Sequence, residues 1–372
     1  MSSLTSFSFL FKKNFLNYFR VHEFNRGSCS VFRAVSSVMC ASRVSLGLLR
    51  RVLSCFPGDV SLSLAYGSGV LAQRGSKSGN NILDFLLAVN EPTSWHVQNL
   101  KMNPRHYSCV RIMGPQWIAK IQLNYGASVY FNTLVPCEGR LMKYGVISTE
   151  DLLDDLLHWK TLYVSGRLHK PVRILRQQDG EGRLHTALQV NLRSAMTAAL
   201  LTLPESFSEE QLFTTIAGLS YTGDFRMVVG EDRSKVENIV HPNLEEFRRL
   251  YAQFLHESPY VVYQPSQGRL ELDKSADTQF TQLLALPTHL QQQLTNLVDP
   301  PGRNRDVEEV LLQISQDPEC GLWVRKGIST IVKRSSLSQS MKGIVTAGPV
   351  KAIRYSAQKV KKMWKGFLTS RR

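Results

Sequence analysis

The residues best suited to chemistry stand close together, early in the chain. Leu62, Leu64 and Tyr66 precede Gly67-Ser68-Gly69, and a second apolar run, Ile82 to Val89, carries one carboxylate, Asp84. Glycines let main-chain N–H groups come close to phosphate oxygens, and Ser68 adds a hydroxyl donor. A strand buried on both faces reads as a nearly unbroken apolar run, which makes Asp84 a deliberate charge near the start of one. A buried unpaired carboxylate is costly, and a magnesium ion compensates it. Either half has a plain structural use, since GSG makes ordinary turns and Asp often begins a strand. The order carries the reading: strand, glycine turn, a loop rich in Gly, Ser and Lys, then a carboxylate strand, an arrangement suited to a triphosphate.

The signature of nucleotidyltransferases is a Gly-Ser followed by an acid-apolar-acid strand. Asp84-Phe85-Leu86 puts leucine where the second acid stands, so any second metal ligand must come from elsewhere. Three further clusters are polar beyond what packing asks. Lys143, in LMKYGVIS, sits where an ammonium can reach an interdomain cleft. Gly166-Arg167-Leu168-His169-Lys170-Pro171 gathers three potentially cationic groups around a turn, suited to phosphate oxygens. Tyr221-Thr222-Gly223-Asp224-Phe225-Arg226 offers a carboxylate and a guanidinium two residues apart. The plain alternatives are a surface lysine, a solvated basic loop and an internal Asp–Arg pair.

These groups need elements to place them. From 52 to about 150 the pattern is short strands, including Val110–Met113 and Ala127–Asn132, with a short helix from Ser94 to Lys101, which predicts an α/β domain with a mixed sheet. At Ser148 the texture changes. Ser148-Thr149-Glu150-Asp151 is a capping-box pattern, and Leu152, Leu153, Leu156, Leu157 and Trp159 follow at helical spacing. Asp151, Asp154 and Asp155 then read as a solvated helix face. A second box, Ser208 to Gln211, opens a helix running to Gly218, and the region to about residue 315 reads as mainly helical.

Charge is divided unevenly. The net +15 comprises +7 on residues 1–51 and +13 on residues 321–372, leaving −5 on the body between them. An acidic body argues against a nucleic-acid surface, which needs its basic residues on the folded domain. The first 51 residues are basic, rich in Ser, Phe and Leu, and contain one acid, Glu23, as in a mitochondrial transit peptide outside the fold. Near the other end, Val350, Ile353, Val360, Trp364, Phe367 and Leu368 fall on one side of a helix. Lys351, Arg354, Lys361, Lys362 and Lys365 fall on the other. Aromatic and aliphatic groups opposite only basic ones suit an anionic membrane interface, each base contributing about 1 kcal/mol. No apolar stretch is long enough to span a bilayer, so the expectation is a peripheral protein. The six cysteines form no CxxC pair and fit a reduced compartment with buried thiols and no zinc site.

Taken together and in order, YGSGV, NNILDFLLAV, LMKYGVIS, LYVSGRLHKPV and YTGDFRM closely resemble the mitochondrial phosphatidate cytidylyltransferases. These are the CDP-diacylglycerol synthases of the translocator assembly and maintenance type, and the resemblance runs from about Pro57 to the C-terminus. It implies a nucleotidyltransferase-like domain at 52–147, a helical, winged-helix-like domain at 148–320 and a membrane-associating segment at 321–372. It also implies a peripheral place on the matrix face of the inner membrane, with CTP and phosphatidic acid as substrates and cardiolipin synthesis as the destination. On that basis Gly67, Ser68 and Gly69 hold phosphates, and Asp84 binds Mg2+ with Asp224 completing the site. Lys143, Arg167 and Lys170 neutralise charge, while Arg226 orients Asp224. Two rivals are a non-catalytic membrane adaptor for the protein import machinery and a transferase acting on RNA or protein. Sequence gives no oligomeric state.

Overall fold

The central strand of the molecule is the one that carries Asp84. A computed structural model describes residues 44–74, 81–178, 182–227, 234–264, 269–299 and 305–348. Strand β1 is Leu62–Tyr66, β2 Leu83–Val89, β3 Tyr130–Cys137, β4 Arg140–Ser148 and β5 Arg173–Gln177. They form one sheet in the order β3-β4-β2-β1-β5. β2 pairs antiparallel with β1 and parallel with β4, and the other pairings are antiparallel, so the sheet is mixed as expected. With neighbours on both sides and apolar cover on both faces, β2 explains its near-continuous apolar run.

One face of the sheet, from Leu62, Leu64, Leu86, Ala88 and Ile147, is buried against Leu152 and Leu156 of the helix Thr149–His158 and Leu184 and Leu188 of the helix Arg183–Thr202. Ser148 caps the first of these, accepting from the Asp151 N–H at 3.0 Å. The other face is aromatic: Tyr144 lies opposite Phe85, and its ring is 4.7 Å from that of Phe56. Beyond residue 183 the chain is mainly helical around a second core. That half includes a three-stranded antiparallel sheet, β6 (Ser206–Ser208), β8 (Arg269–Leu272) and β7 (Val261–Gln264), in that order. The expected box at Ser208 is complete, with Ser208 Oγ accepting from the Gln211 N–H and Gln211 Oε1 from the Ser208 N–H.

Several boundaries move. Val110–Met113 is not a strand: Cys109–Met113 is a 3-10 turn, capped by Ser108 and ended by Gly114 at φ +86°, with Ile112 84% exposed and no strand among the described residues paired with it. The strand expected from Ala127 begins at Tyr130, because Gly126 and Ser128 both take positive φ. A boundary at 147 cuts the sheet, since β5 returns to pair with β1; the described residues belong to one compact unit. The N-terminal limit at 51 falls inside the helix Leu46–Ser54, where Leu49 and Val52 are fully buried, each burial contributing about 2 kcal/mol. Residues 44–51 therefore belong to the fold.

The C-terminal limit at 320 also shifts. Cys320–Ala347 is one 28-residue helix whose Val324, Ile328, Ile331 and Val332 lie in the second core. Its last turns reach the first half: Gln339 Oε1 accepts from the Ala127 N–H, and Lys342 Nζ donates to the carbonyls of Gln122 and Tyr125. Most of the transit-peptide expectation, and the amphipathic segment from Val350 to Leu368, lie outside the described residues. Among the described residues no helix is long and apolar enough to cross a membrane. Of the described cysteines only Cys320 is buried; Cys109 is exposed.

Candidate active site

Sheet register does most of the positioning. Asp84 lies directly opposite Tyr66 on β1 and opposite Lys143 on β4, so all three side chains share one face. Beyond Tyr66 the chain turns at Gly67, whose φ is +78° and whose carbonyl accepts the N–H groups of Val70 and Leu71 at 3.0 and 2.9 Å. A Cβ on Gly67 would lie 2.8 Å from Asp84 Oδ2, and one on Gly69 would lie 2.3 Å from the Ile82 carbonyl oxygen. The glycine turn is thus folded directly over the carboxylate. Asn81 Nδ2 donates to the Ser68 carbonyl at 3.2 Å and closes the far side.

Lys143 is held by aromatic support. Its ammonium lies 4.2 Å from the centroid of Phe131, and that ring crosses Gly145, where a Cβ would come within 2.6 Å of it. A side chain at residue 145 would push Phe131, and with it Lys143, out of place.

The basic turn arrives from the far side. Arg167, on the short helix Ser165–Leu168, stacks 4.6 Å over Tyr66. Burial works against its charge, but Tyr221, Tyr66, Asp84 and Tyr163 around it outweigh that and raise its pKa. Lys170 is buried. Its ammonium donates to Ser220 Oγ at 2.7 Å and to the Gly166 carbonyl, and sits 5.0 Å from the Tyr221 ring. Burial, then the charges of Arg167 and Lys235, hold its pKa well below the ordinary lysine value. An arriving anion would relieve that repulsion and favour the charged form. His169, the third member of this cluster, is not a cation. Burial and the adjacent Lys170 push its pKa down to about 3, and its Nε2 faces Asn191 Oδ1 at 3.0 Å.

Asp155 corrects the sequence reading most sharply. It is 3% exposed rather than solvated. Its Oδ1 accepts the N–H groups of Thr161 and Leu162 at 2.7 and 2.9 Å, and its Oδ2 those of Val164 and Ser165 at 3.1 and 2.9 Å. It therefore shapes the loop that delivers Arg167 and Lys170.

Asp224 and Arg226 form a tight pair. Asp224 Oδ1 accepts from Arg226 N and Nε at 3.0 and 2.9 Å, and Oδ2 from Nε and Nη2 at 3.0 and 2.6 Å. Arg226 thus grips Asp224 through both carboxylate oxygens. It also commits most of that carboxylate's lone pairs before any metal arrives. The guanidinium lies 5.9 Å over Tyr163, whose ring is 6.3 Å from Phe131, so the pair borders the Lys143 side of the site. Among the described residues no group of three His, Cys, Asp or Glu forms a ready metal cage. The residues present still fit magnesium, which is commonly held by one or two carboxylates plus substrate phosphates and water. The donor set here is one carboxylate, Asp84, close beneath a glycine turn, with Arg167 near it and Lys143 opposite.

Sequence reasoning missed Lys235, whose ammonium lies 5.2 Å from the same Tyr221 ring that carries Lys170. It follows the site in sequence with no motif around it, and only the fold brings it in. Gly67→Ala is expected to lower turnover on the order of 10²-fold, because the methyl group displaces either the turn or Asp84. Steady-state turnover, with the melting temperature as a folding control, checks this; unchanged turnover would show that the turn does not shape the site.

A mixed sheet that sets a carboxylate beneath a glycine turn, with lysine and arginine near it, is compatible with a nucleotidyltransferase-type enzyme. Residues 49–362 match the family model described as phosphatidate cytidylyltransferase, mitochondrial. Relatives of that description share 62% identity over 321 residues in Danio rerio, covering 86% of this chain and 95% of the relative, and 57% over 321 residues in Bos taurus, with the same coverage. The Drosophila melanogaster relative is 42% identical over 340 residues, covering 85% of this chain and 98% of its own. The chain belongs to the mitochondrial phosphatidate cytidylyltransferase family.

Proposed function

We propose that this protein joins CTP to phosphatidic acid, releasing pyrophosphate and forming CDP-diacylglycerol for cardiolipin synthesis. The observation that carries this reading is Asp84 beneath Gly67, opposite Lys143 and beside Arg167. A phosphate oxygen of phosphatidic acid attacks the α-phosphorus of CTP, the bond from the α-phosphorus to the bridging oxygen breaks, and pyrophosphate leaves with that oxygen. The nucleophile is already an anion, so no strong general base is required. The barrier is electrostatic, and positioned cations lower it. Mg2+, when bound, neutralises triphosphate charge.

Gly67, Ser68 and Gly69 present main-chain and hydroxyl donors to the β- and γ-phosphates. Asp84 is the first protein ligand of the metal, and Asp224 is offered as the second through the lone pairs that Arg226 leaves open. Lys143, Arg167 and Lys170 hold the triphosphate and the lipid phosphate apart from bulk water and in line. The three-stranded sheet with its neighbouring helices is proposed as the winged-helix-like part of the fold. The protein is placed as a peripheral enzyme on the matrix face of the mitochondrial inner membrane.

Incubating the full chain with CTP, Mg2+ and vesicles containing phosphatidic acid tests the function. CDP-diacylglycerol is expected by mass spectrometry and none after chelation of the metal. Vesicle binding without product would favour the membrane adaptor, although an adaptor has no use for a carboxylate beneath a glycine turn. Truncation before Val350 is expected to reduce activity on vesicles at least tenfold and on dispersed short-chain phosphatidate less than twofold. Equal losses would make the C-terminal segment structural.

A further inference from the structure

One long stretch of the folded chain has no carboxylates. Between Glu91 and Glu138 the chain contains no Asp or Glu, although residues 52–320 together carry −5. The same stretch exposes Lys101, Arg105, Arg111 and Lys120. Beyond Glu319 the helix Cys320–Ala347 is likewise free of acid.

This basic surface also exposes large apolar groups. Ile112 is 84% exposed and Met113 50%, on the 3-10 turn Cys109–Met113, and Trp117 is 49% exposed on the next helix, Pro115–Asn124. Lys120 lies 4.9 Å from the Trp117 ring, pairing a cation with an aromatic at the surface. The last turns of the helix Cys320–Ala347 adjoin this turn and helix. Lys342 donates to the Gln122 and Tyr125 carbonyls, and Ser108 Oγ donates to the Thr346 carbonyl. Those turns expose Ile344 and Val345 at 59% and 68%, and Tyr125 is 61% exposed beside them.

Single exposed apolar residues need no explanation, but a group of them gathered on two adjoining segments that carry bases and no acid does. We propose that the face formed by Ile112, Met113, Trp117, Tyr125, Ile344 and Val345 rests on an anionic lipid bilayer. Its aromatic and aliphatic groups enter the interface while Lys101, Arg105, Arg111 and Lys120 meet the headgroup charge. This is a second lipid contact, made by the folded body and separate from the segment after Gly348. It rests on the reading that the substrate is a lipid, and it would present the catalytic sheet to the leaflet holding that substrate. A soluble protein partner would be expected to meet at least some of these bases with acids of its own, and a tail of this chain brings only more positive charge: the residues after Gly348 contain no acid.

The test is flotation of the full chain with phosphatidylglycerol-containing vesicles, which contain no substrate, and with neutral phosphatidylcholine vesicles. Ile112→Glu combined with Trp117→Glu changes two exposed side chains, and Leu312→Glu, at an exposed apolar site among acids, is the control. The double variant is expected to lose at least fivefold of its binding to anionic vesicles, and the control to lose none. Activity of the double variant on dispersed phosphatidate is expected within twofold of wild type, which shows that it is folded. Undiminished binding of the double variant to anionic vesicles overturns the proposal, as does equal wild-type binding to neutral ones. Failure of the cytidylyltransferase reading appears differently, as absence of product from either form of phosphatidate with flotation unaffected.

Discussion

Replacing Asp84 with Asn is expected to reduce formation of CDP-diacylglycerol on the order of 10³-fold or more while leaving the protein folded. Asn matches Asp in shape, and Asp84 lies on a central strand whose pairings with β1 and β4 are made by main-chain groups, so the sheet has no reason to change. What changes is charge. The carboxylate lies beneath Gly67, beside Arg167 and next to Lys143, and its removal leaves a cationic cluster without the anion that would share a metal with the triphosphate. Turnover at saturating CTP and Mg2+, with the melting temperature measured in parallel, is the check. A variant that kept more than a tenth of wild-type turnover would remove Asp84 from the chemistry.

The largest effect on stability is expected at a residue that touches no substrate. Asp155→Ala leaves four main-chain N–H groups, those of Thr161, Leu162, Val164 and Ser165, without their acceptor in a buried loop. Hydrogen bonds to a charged group each contribute about 1.5–3 kcal/mol and water can reach some of the exposed donors, so the net loss is about 4 kcal/mol. Denaturant unfolding would show it as a lower midpoint with an unchanged slope. The same substitution should also weaken activity, because Ser165 begins the helix that carries Arg167. A midpoint shift equivalent to less than about 0.5 kcal/mol, the scale of ordinary surface changes, would contradict the role assigned to Asp155.

The contrast between these two carboxylates shows what the sequence made legible. Asp84 stands alone in an apolar run, and a charge that breaks a clear period-2 or continuous pattern announces itself. Lys143 and the Arg167–Lys170 turn were legible for a similar reason, as cations where packing asks for none. Asp155 stands among Asp151 and Asp154 at helical spacing, and its sequence neighbourhood is that of a solvated face. Its burial depends on Trp159 adopting φ +54°, which turns the chain back over the helix end. His169 was misread because a histidine between two cations looks cationic, whereas burial and then the adjacent Lys170 charge hold it neutral, against the pull of its hydrogen bond to Asn191, 22 residues away.

Long-range placement was the other gap. β5 pairs with β1 across more than a hundred residues, and nothing local in Arg173–Gln177 says so. The helix Cys320–Ala347 looked like the start of a basic tail because its bases dominate its composition. Its buried Val324, Ile328, Ile331 and Val332 recur at helical spacing and were the available signal. Val110–Met113 failed in the opposite direction: a β-branched run suggested a strand, but Gly114-Pro115 ends it and no strand among the described residues pairs with it.

The most direct test of the central claim follows the label when the wild-type full chain is given CTP labelled at the α-phosphate, Mg2+ and vesicles containing phosphatidic acid. Label is expected to enter the lipid phase as CDP-diacylglycerol, in equal amount to unlabelled pyrophosphate released. Label that stays in the aqueous phase, or appears on RNA or protein, with the chain folded and bound to the vesicles, would contradict it.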